Sequence, residues 1–578
     1  MTHAALLTSL RVAVGRRHVL TNPRATARFR KGYRTGEGPA IAVVRPGSLV
    51  ELWRAAQACV AADVSIIMQA SNTGLTGGST PDGANYPGGL VIISTTRLDG
   101  LRVIRKGEQV LCLPGTTLYR LEQALRPYGR EPHSVIGSSC LGASVVGGVC
   151  NNSGGSLIRR GPAYTQLALF GEVMPDGTLR LVNHLGITLG EDPETILARL
   201  ETGHFTEADI DTADDRWAHD HSYAQHVRDI DSDVPARFNA DPRCLFEAAG
   251  SAGKLIVFAV RLDTFAREDE TTTFYIGTDV PDLLTDLRRT MLRDFDTLPI
   301  AGEYMHRTAF DVADRYGRDM FWAIERLGTD RLPALFAAKS RFDAMLGGGL
   351  SDRLMQWSSR FIPDHLPELM REYRDRFAHH LILKVPRDQV EAARALLARL
   401  FPGGEIGDHF ECTAGEAAKA FLHRFVAAGA AVRYRAVHRA EVEDIVALDV
   451  ALPRNTREWL ETLPAELEAC TIHALYYGHF FCQVFHQDYI VRKGTDPLAF
   501  EHALWELLDA RGAQYPAEHN VGHLYVAKPS LAEFYRSIDP RNQLNPGIGH
   551  TARSRDWAMA GSANLSASPP AAAHGDYP

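Results

Sequence analysis

The sequence predicts an α+β protein in two parts, and three observations carry that prediction. Between residues 40 and 260, short β-branched runs alternate with helical ones, and glycine is concentrated where strands give way to the next element. From about 270 to 510 the helical patterns lengthen and strands are scattered among them. At 578 residues the chain is also far longer than one ordinary domain of ~100–200 residues.

In chain order, AIAVVRP (40–46) reads as a strand and SLVELWRAAQACVAADV (48–64) as an amphipathic helix capped by Ser48. SIIMQA (65–70) is a strand running straight into a Gly-rich loop. GLVIIST (89–95), QVLCLPG (109–115) and KLIVFAV (254–260) are further strands. In the second part, VPDLLTDLRRTMLRDF (280–295) and RDQVEAARALLARLF (387–401) carry apolar residues at helical spacing. FYIGT (274–278), LILKV (381–385) and the aromatic-rich YYGHFFCQVFHQDYIV (476–491) read as strands. Beyond about 510, RGAQYPAEHNVGHLY and YRSIDPRNQLNPGIG read as ordered loops. The tail 561–578 is small, polar and Pro-containing, so disorder is expected there.

Composition narrows the function. A chain 45% hydrophobic and 23% charged forms a core, and a net charge of −8 argues against a bulk polyanion binder. Eight cysteines without a C-x-x-C pair make a disulfide framework or zinc finger a poor fit and suit a reducing compartment. Apolar stretches such as LGASVVGGVC (141–150) fall far short of the ~20 residues of a membrane helix. MTHAALLTSLR at the N-terminus lacks a basic leader, so neither a signal peptide nor a spanning segment is expected.

Two glycine-rich stretches suggest a ligand. In QASNTGLTGGST (69–80), directly after a strand, Gly74, Gly77 and Gly78 free the backbone so that several N–H groups can face one anion. It is neither a Walker A loop nor a G-x-G-x-x-G fingerprint. The second stretch, 132–164, has glycine at 137, 142, 147, 148, 154, 155 and 161. A core segment would lose ~1 kcal/mol per Gly relative to Ala in a helix, whereas a long flat ligand lying on bare main chain explains the pattern.

QASNTGLTGGS, LCLPGTTLYRLEQAL, REPHSVIGSSCLGASVVGGVCNNSGGSLIRRGPAYT and PAEHNVGHLY resemble the bacterial respiratory FAD-dependent D-lactate dehydrogenases, flavoproteins of the vanillyl-alcohol-oxidase superfamily. The resemblance extends through AGEYMHR (301–307), KAFLHRFVAAGAAVRYRAVH (419–438) and YRSIDPRNQLNPGIG (535–549). It implies a two-subdomain FAD-binding domain of that type over 1–265, completed by 512–560. An α+β cap or substrate domain follows at 266–511, with a helical membrane-facing insertion around 308–380 and 420–445. It further implies that Ala70, Ser71, Asn72, Thr73 and Gly74, with Gly78 and Ser79, hold the FAD pyrophosphate. Gly137, Ser144 and Gly154 line the cofactor, and Val257 touches it. The first loop has no His or Cys, so the FAD is expected to be non-covalent. The implied reaction oxidises D-lactate to pyruvate by hydride transfer from Cα to flavin N5. A quinone then takes the electrons at the cytoplasmic face of the bacterial inner membrane.

YYGHFFCQVFHQDYIV places His479 and His486 seven residues apart. In a single strand that odd spacing puts them on opposite faces, so a bend or loop must intervene if both meet one ligand. YPAEHNVGH adds Glu518, His519 and His523. Imidazole and carboxylate suit a Zn²⁺-like ion, and a neighbouring free His can act as base; taken singly, each His has a structural alternative. The group is similar to that of D-2-hydroxy-acid dehydrogenases in which G-H-x₆-H and a later E-H form a metal site and base. That similarity implies His479, His486 and Glu518 as ligands and His519 as base. The chain departs from it in reading CQVFHQ where that family has G-D-G-N-L-H. Arg307 is the candidate cation for the substrate carboxylate, its alternative being an ordinary arginine outside the site.

For the membrane, 331–380 holds eight Arg/Lys against six acids with Phe, Trp, Leu and Met interleaved, and 419–439 adds Lys419, Arg424, Arg433, Arg435 and Arg439 with no acid. Such stretches read either as a surface for anionic lipid or as solvated helical faces. Three rival functions stay open: a dehydrogenase of another D-2-hydroxy acid with a different acceptor, a flavin-free metallohydrolase on the His/Glu group, and a silent flavin- or lipid-binding module.

Overall fold

The computed structural model describes residues 1–32, 34–134, 142–211, 215–327, 350–555 and 557. Gly137, residues 328–349 of the expected insertion and the tail 561–578 lie outside them.

The first sheet comprises β1 (Val19–Leu20), β2 (Ala42–Val44), β3 (Ser65–Gln69) and β4 (Leu90–Ser94), in the order β1-β2-β4-β3. Its three longer strands are parallel, so each connection must cross a face. The helix Leu49–Ala61 makes the first crossing, started by Ser48 Oγ accepting from the Glu51 N–H at 3.1 Å. The C-terminal segment then lies along β3: Ile66 N donates to Gln543 O and Asn545 N donates to Ile66 O.

The second sheet is antiparallel and five-stranded: β5 (Leu101–Ile104), β6 (Gln109–Cys112), β8 (Ala168–Val173), β9 (Leu179–Asn183) and β10 (Ile256–Asp263), in the order β5-β6-β10-β8-β9. A short pair, β7 (Arg130–Glu131) with β11 (Phe265–Ala266), stands apart as its own small sheet. Trp53 and Val60 of the Leu49–Ala61 helix share one apolar cluster with Ile66, Ile93, Leu111, Leu169 and Phe258, which welds the first sheet to the second.

The third sheet has seven antiparallel strands: β12 (Thr271–Thr278), β13 (Ala301–His306), β14 (His379–Pro386), β15 (Gly407–Glu411), β16 (Val442–Ala451), β17 (Thr471–His479) and β18 (Val484–Arg492), in the order β15-β12-β14-β13-β17-β18-β16. Alternation sends Tyr304, Leu381 and Phe485 to one face, under the helices Pro281–Asp294, Val390–Leu400 and Pro497–Ala510. Met305, Ile382 and Tyr477 go to the other, under Arg307–Tyr316, Arg318–Leu327, Glu368–Arg376 and Ala414–Val437. The stretch 476–491 is therefore a hairpin, β17 to β18 through the turn Phe480–Cys482, with Gln483 at φ +51°.

The stretch 419–439 is not an open basic surface. Most of it lies in the helix Ala414–Val437, packed on Arg307–Tyr316, and its cations meet acids from other elements. Arg424 pairs with Glu303 at 3.0 Å, Arg433 with Asp319 and Asp352 at 3.1 and 2.9 Å, and Arg435 with Asp444 at 2.9 Å. Sequence distance hid these partners.

Candidate active site

The loop after β3 is built from main chain. The carbonyls of Leu75, Thr76, Gly77, Gly78 and Ser79 all face protein donors: Thr35 Oγ1, His523 N, Thr80 N, Asn545 Nδ2 and Gln69 Nε2 respectively. Turning the carbonyls inward aims the amides the other way, and no backbone N–H from Ser71 to Ser79 has a partner among the described residues. Thr76, Gly77 and Gly78 are nevertheless buried. Buried, unpaired N–H groups in a row suit a pyrophosphate, which accepts where water is excluded. Asn72, at φ +54°, closes the cradle by donating to Lys31 O and accepting from Ser79 Oγ. Ala70, Ser71 and Thr73 lie on its half-buried wall, and Gly74 faces open space.

A second loop is fastened onto this one. A Cβ on Gly78 would stand 2.5 Å from the Asn520 side chain, and one on Gly522 would stand 2.1 Å from Thr76 O. Between them, Asn520 Oδ1 accepts from Gly522 N at 2.7 Å. This places Glu518 and His519 beside the cradle.

Around Glu518 the structure gathers ionisable side chains from six parts of the chain. His479, at the end of β17, donates from Nδ1 to Glu303 Oε1 of β13 at 2.7 Å, and its Nε2 stands 3.3 Å from Glu518 Oε2. The hairpin turn brings His486 of β18 back beside it, with ring centroids 5.5 Å apart. Ligand atoms of His479, His486 and Glu518 all lie within 4.8 Å of one another. Arg237, 1% exposed, closes onto Glu518 Oε1 and donates to Gly155 O at 2.5 Å. Gly154 sits against this pair, where a Cβ would meet Glu518 Oε1 at 2.3 Å. Asp449 of β16 accepts from Glu518 N at 2.6 Å and from His519 Nδ1 at 2.7 Å. The Nε2 of His519 has no partner among the described residues.

The electrostatics follow from burial set against pairing. Burial works against charge on His479, but Glu303 and Glu518 outweigh it and raise its pKa to about 10. At His486 burial outweighs Asp449 and Glu518, with Arg424 and His479 opposing charge as well, and lowers it to about 4, so it is neutral. Burial alone would raise Glu518; Arg237 and His479 instead hold it well below the usual carboxylate range. His519 is opposed by burial yet raised by Asp449, whose carboxylate favours the imidazolium.

Not every expected residue joins this group. Ser144 caps the helix Val145–Cys150, its Oγ accepting from Gly147 N at 3.0 Å. Val257 lies in the apolar cluster under that helix, at the bulge of β10. Arg307 stands outside: its Nε donates to Phe377 O at 2.9 Å, and its Nη2 lies 3.9 Å from Asp279 at the end of the sheet. As the first residue of the helix Arg307–Tyr316 it has left the β13 alternation that points Glu303 into the group. Asp449, Glu303, Arg237 and Arg424 are the members that sequence reasoning missed. Asp449 carried a signal, a lone acid inside the apolar strand segment ALDVALP, and Glu303 lay in the quoted AGEYMHR. Arg237, in an irregular segment, carried none.

Comparison with known proteins identifies the family. The "FAD binding domain" family matches residues 40–183, and the family "D-lactate dehydrogenase, membrane binding" matches 273–557. The chain is 58% identical to the quinone-dependent D-lactate dehydrogenase of Escherichia coli (strain K12) over 559 residues, covering 96% of this chain and 98% of that one. It is 54% identical to the Haemophilus influenzae enzyme of the same name, covering 96% and 100%, and 47% identical to that of Corynebacterium glutamicum, covering 94% and 96%. Among solved structures, p-cresol methylhydroxylase with substrate bound aligns with a TM-score of 0.56 at 12% identity over 95% of this chain and 97% of that one. The 4-ethylphenol oxidase from Gulosibacter chungangensis aligns with a TM-score of 0.55 at 14% identity, covering 96% and 98%. At such identities these two share the fold alone.

Proposed function

Because the chain belongs to the family of quinone-dependent D-lactate dehydrogenases, we propose that it oxidises D-lactate to pyruvate with FAD and a membrane quinone, His519 acting as base. The observation that carries this reading is the junction of two loops: Asn520 packs on Gly78 and Gly522 on Thr76, so the loop that carries His519 is fastened to the stretch with the unpaired amides of 71–79. FAD, when bound, supplies the two-electron acceptor at that junction.

The rest falls to the chain. The amides of 71–79 take the pyrophosphate, and Gly154 leaves open the space beside Glu518 and Arg237. Arg424, rather than Arg307, receives the substrate carboxylate: its Nε is buried without a hydrogen-bond partner among the described residues, and its guanidinium stands 4.7 Å over the Tyr477 ring. His519 accepts the hydroxyl proton at Nε2 as the Cα–H bond breaks. Asp449 fixes the ring through Nδ1 and steadies the imidazolium that forms. His479 through Nε2, neutral His486 and Glu518 would hold a divalent ion such as Zn²⁺, which lowers the pKa of a bound hydroxyl. Glu303 on His479 Nδ1 is the outer partner such a ligand needs.

The membrane reading rests on the helical layer of the third sheet. No helix of the described residues is long and apolar enough to cross a membrane. Instead Trp322, Leu354, Trp357 and Phe361 are 40%, 47%, 57% and 72% exposed, and Arg353 and Arg360 beside them have no acidic partner among the described residues. Aromatic rings mixed with free cations suit an anionic bilayer surface. The protein is peripheral on the cytoplasmic face of the bacterial inner membrane. In a fractionation of lysed cells, activity sediments with membranes at low salt and is released by Trp357→Ser/Phe361→Ser; activity wholly in the supernatant overturns this.

The reaction itself is tested by anaerobic mixing of purified holoenzyme with D- or L-lactate. Bleaching of the flavin by the D isomer alone is the expected result. No bleaching, or equal bleaching by both isomers, removes the assignment. A quinone-dependent rate with D-lactate above that with D-2-hydroxyglutarate excludes the neighbouring substrate.

A further inference from the structure

The helical layer contains three histidines that the chemistry above does not use. His365 lies between the helices Leu350–Ser359 and Glu368–Arg376, His380 in β14, and His423 in the helix Ala414–Val437. They are 4%, 1% and 1% exposed, and none of their six ring nitrogens has a hydrogen-bond partner among the described residues. Asp314 Oδ1 stands 3.8 Å from His365 Nδ1, and the carbonyls of Phe377 and Phe310, facing His380 and His423, fall short of hydrogen-bond geometry. Burial lowers His365 to about 4, His380 to about 3 and His423 well below its ordinary value. All three are neutral at physiological pH, each with one N–H donor and one acceptor nitrogen.

Unpaired polar groups are rare in protein interiors because each loses its water without replacement. Three together in an apolar cluster point to a ligand. Aromatic rings also connect them. The His365 and His423 rings are 6.3 Å apart; Phe321 meets His365 edge-on at 4.4 Å; Phe310 meets His423 at 4.2 Å and His380 at 5.5 Å. At the outer end, Phe321 is followed by Trp322 of the exposed aromatic surface. At the inner end, His423 is followed by Arg424, which pairs with Glu303, the partner of His479. A seam of unpaired imidazoles thus joins the membrane-facing surface to the substrate cluster.

We propose that this seam binds the quinone head group, its carbonyl oxygen accepting N–H bonds from His365 and His423 and its ring stacking against the phenylalanines. The inference rests on the quinone-dependent reading above. A quinone is flat, apolar and purely an acceptor, so it complements neutral imidazole donors in an aromatic slot. D-lactate gives up two electrons and two protons in becoming pyruvate; the quinone takes up two of each in becoming quinol. The rings pack together as they stand, so the head group enters by displacing Phe321, whose neighbour Trp322 is 40% exposed.

The test uses full-length holoenzyme on vesicles of phosphatidylethanolamine and phosphatidylglycerol, with ubiquinone-1 as acceptor. His365→Leu and His423→Leu keep volume and remove the donors. Anaerobic bleaching by D-lactate should match the wild type in both, while kcat/KM for ubiquinone-1 falls at least tenfold. His423→Gln, which retains an N–H donor, should recover most of the loss even if the leucine variant folds poorly. A photoreactive azidoquinone should label the helices Arg307–Tyr316, Arg318–Leu327 or Ala414–Val437. Unchanged ubiquinone-1 kinetics in both leucine variants, or labelling confined to the His519 loop, overturns the seam. A wild type that is bleached by D-lactate yet never reduces quinone removes the quinone reading, and the seam with it.

Discussion

Residues 71–79 offer main chain to a ligand, whereas the group around His479 offers side chains gathered from β13, β16, β17, β18, the 515–523 loop, the helix Ala414–Val437 and the irregular segment that carries Arg237. The first region depends on what is missing: Cβ atoms and amide partners. The second depends on what is present: three carboxylates opposed by two arginines and a protonated histidine, all buried. A substitution therefore injures the first by adding atoms and the second by removing charge, and this difference can be tested.

The largest effect is expected from Gly78→Val. Its Cβ would lie 2.5 Å from the Asn520 side chain, between the cradle and the His519 loop. The purified variant should keep its far-ultraviolet circular dichroism but emerge colourless, with less than a tenth of the wild-type FAD released on denaturation. Yellow protein of normal stoichiometry would show that the contact yields. Next, His519→Ala should retain FAD and lose kcat by about 10²–10⁴-fold. Asp449→Asn, which leaves the base present but less well held, should lose on the order of 10–10²-fold. Equal losses in the two would mean that Asp449 does more than orient.

Arg237→Met tests the charge balance directly. Removing one member of a buried pair destabilises by about 3–5 kcal/mol, because Glu518 is left charged and uncompensated. Adding Glu518→Gln should restore much of that loss in a melting experiment; if it restores none, Arg237 stabilises through packing instead.

The smallest effect concerns pH. Burial lowers His133, His365 and His379 to about 4 and His380 to about 3. Their folded values lie below the unfolded value of about 6.5, so the unfolded chain binds more protons between these limits. The part of the stability that these four groups supply is thus full above about pH 6.5 and is lost as pH falls toward 4. The melting temperature should drop between pH 7 and 5, and by less in His380→Phe; an unchanged melting temperature contradicts the burial argument.

The same contrast explains what the sequence revealed. The cradle was legible because its signal is local: glycines and small residues follow one another after an apolar strand, and nothing distant is needed to see them. The strands at 65–70, 89–95 and 109–115 were legible for the same reason. His479, His486, Glu518 and His519 could be named because their side chains are chemically distinctive, and the hairpin turn that unites the first two was demanded by their spacing. Their partners were not legible. Arg237 shares no periodicity with Glu518, 281 residues away. Arg424 looked like surface charge because the strand carrying Glu303 lies over a hundred residues upstream. Arg307 was chosen from the right segment but lies just past the point where β13 becomes a helix, so its direction was lost.

Asn545 has a bearing on how the protein is made. Its amide donates to Gly78 O and to Ala252 O, steadying the cradle from a position 467 residues further along the chain. The nucleotide-gripping turn therefore receives this brace only after 467 further residues have been made, and a nascent polypeptide stalled short of that asparagine holds an unbraced cradle. Truncation ahead of Asn545 should yield the same pale material as damage to the turn itself.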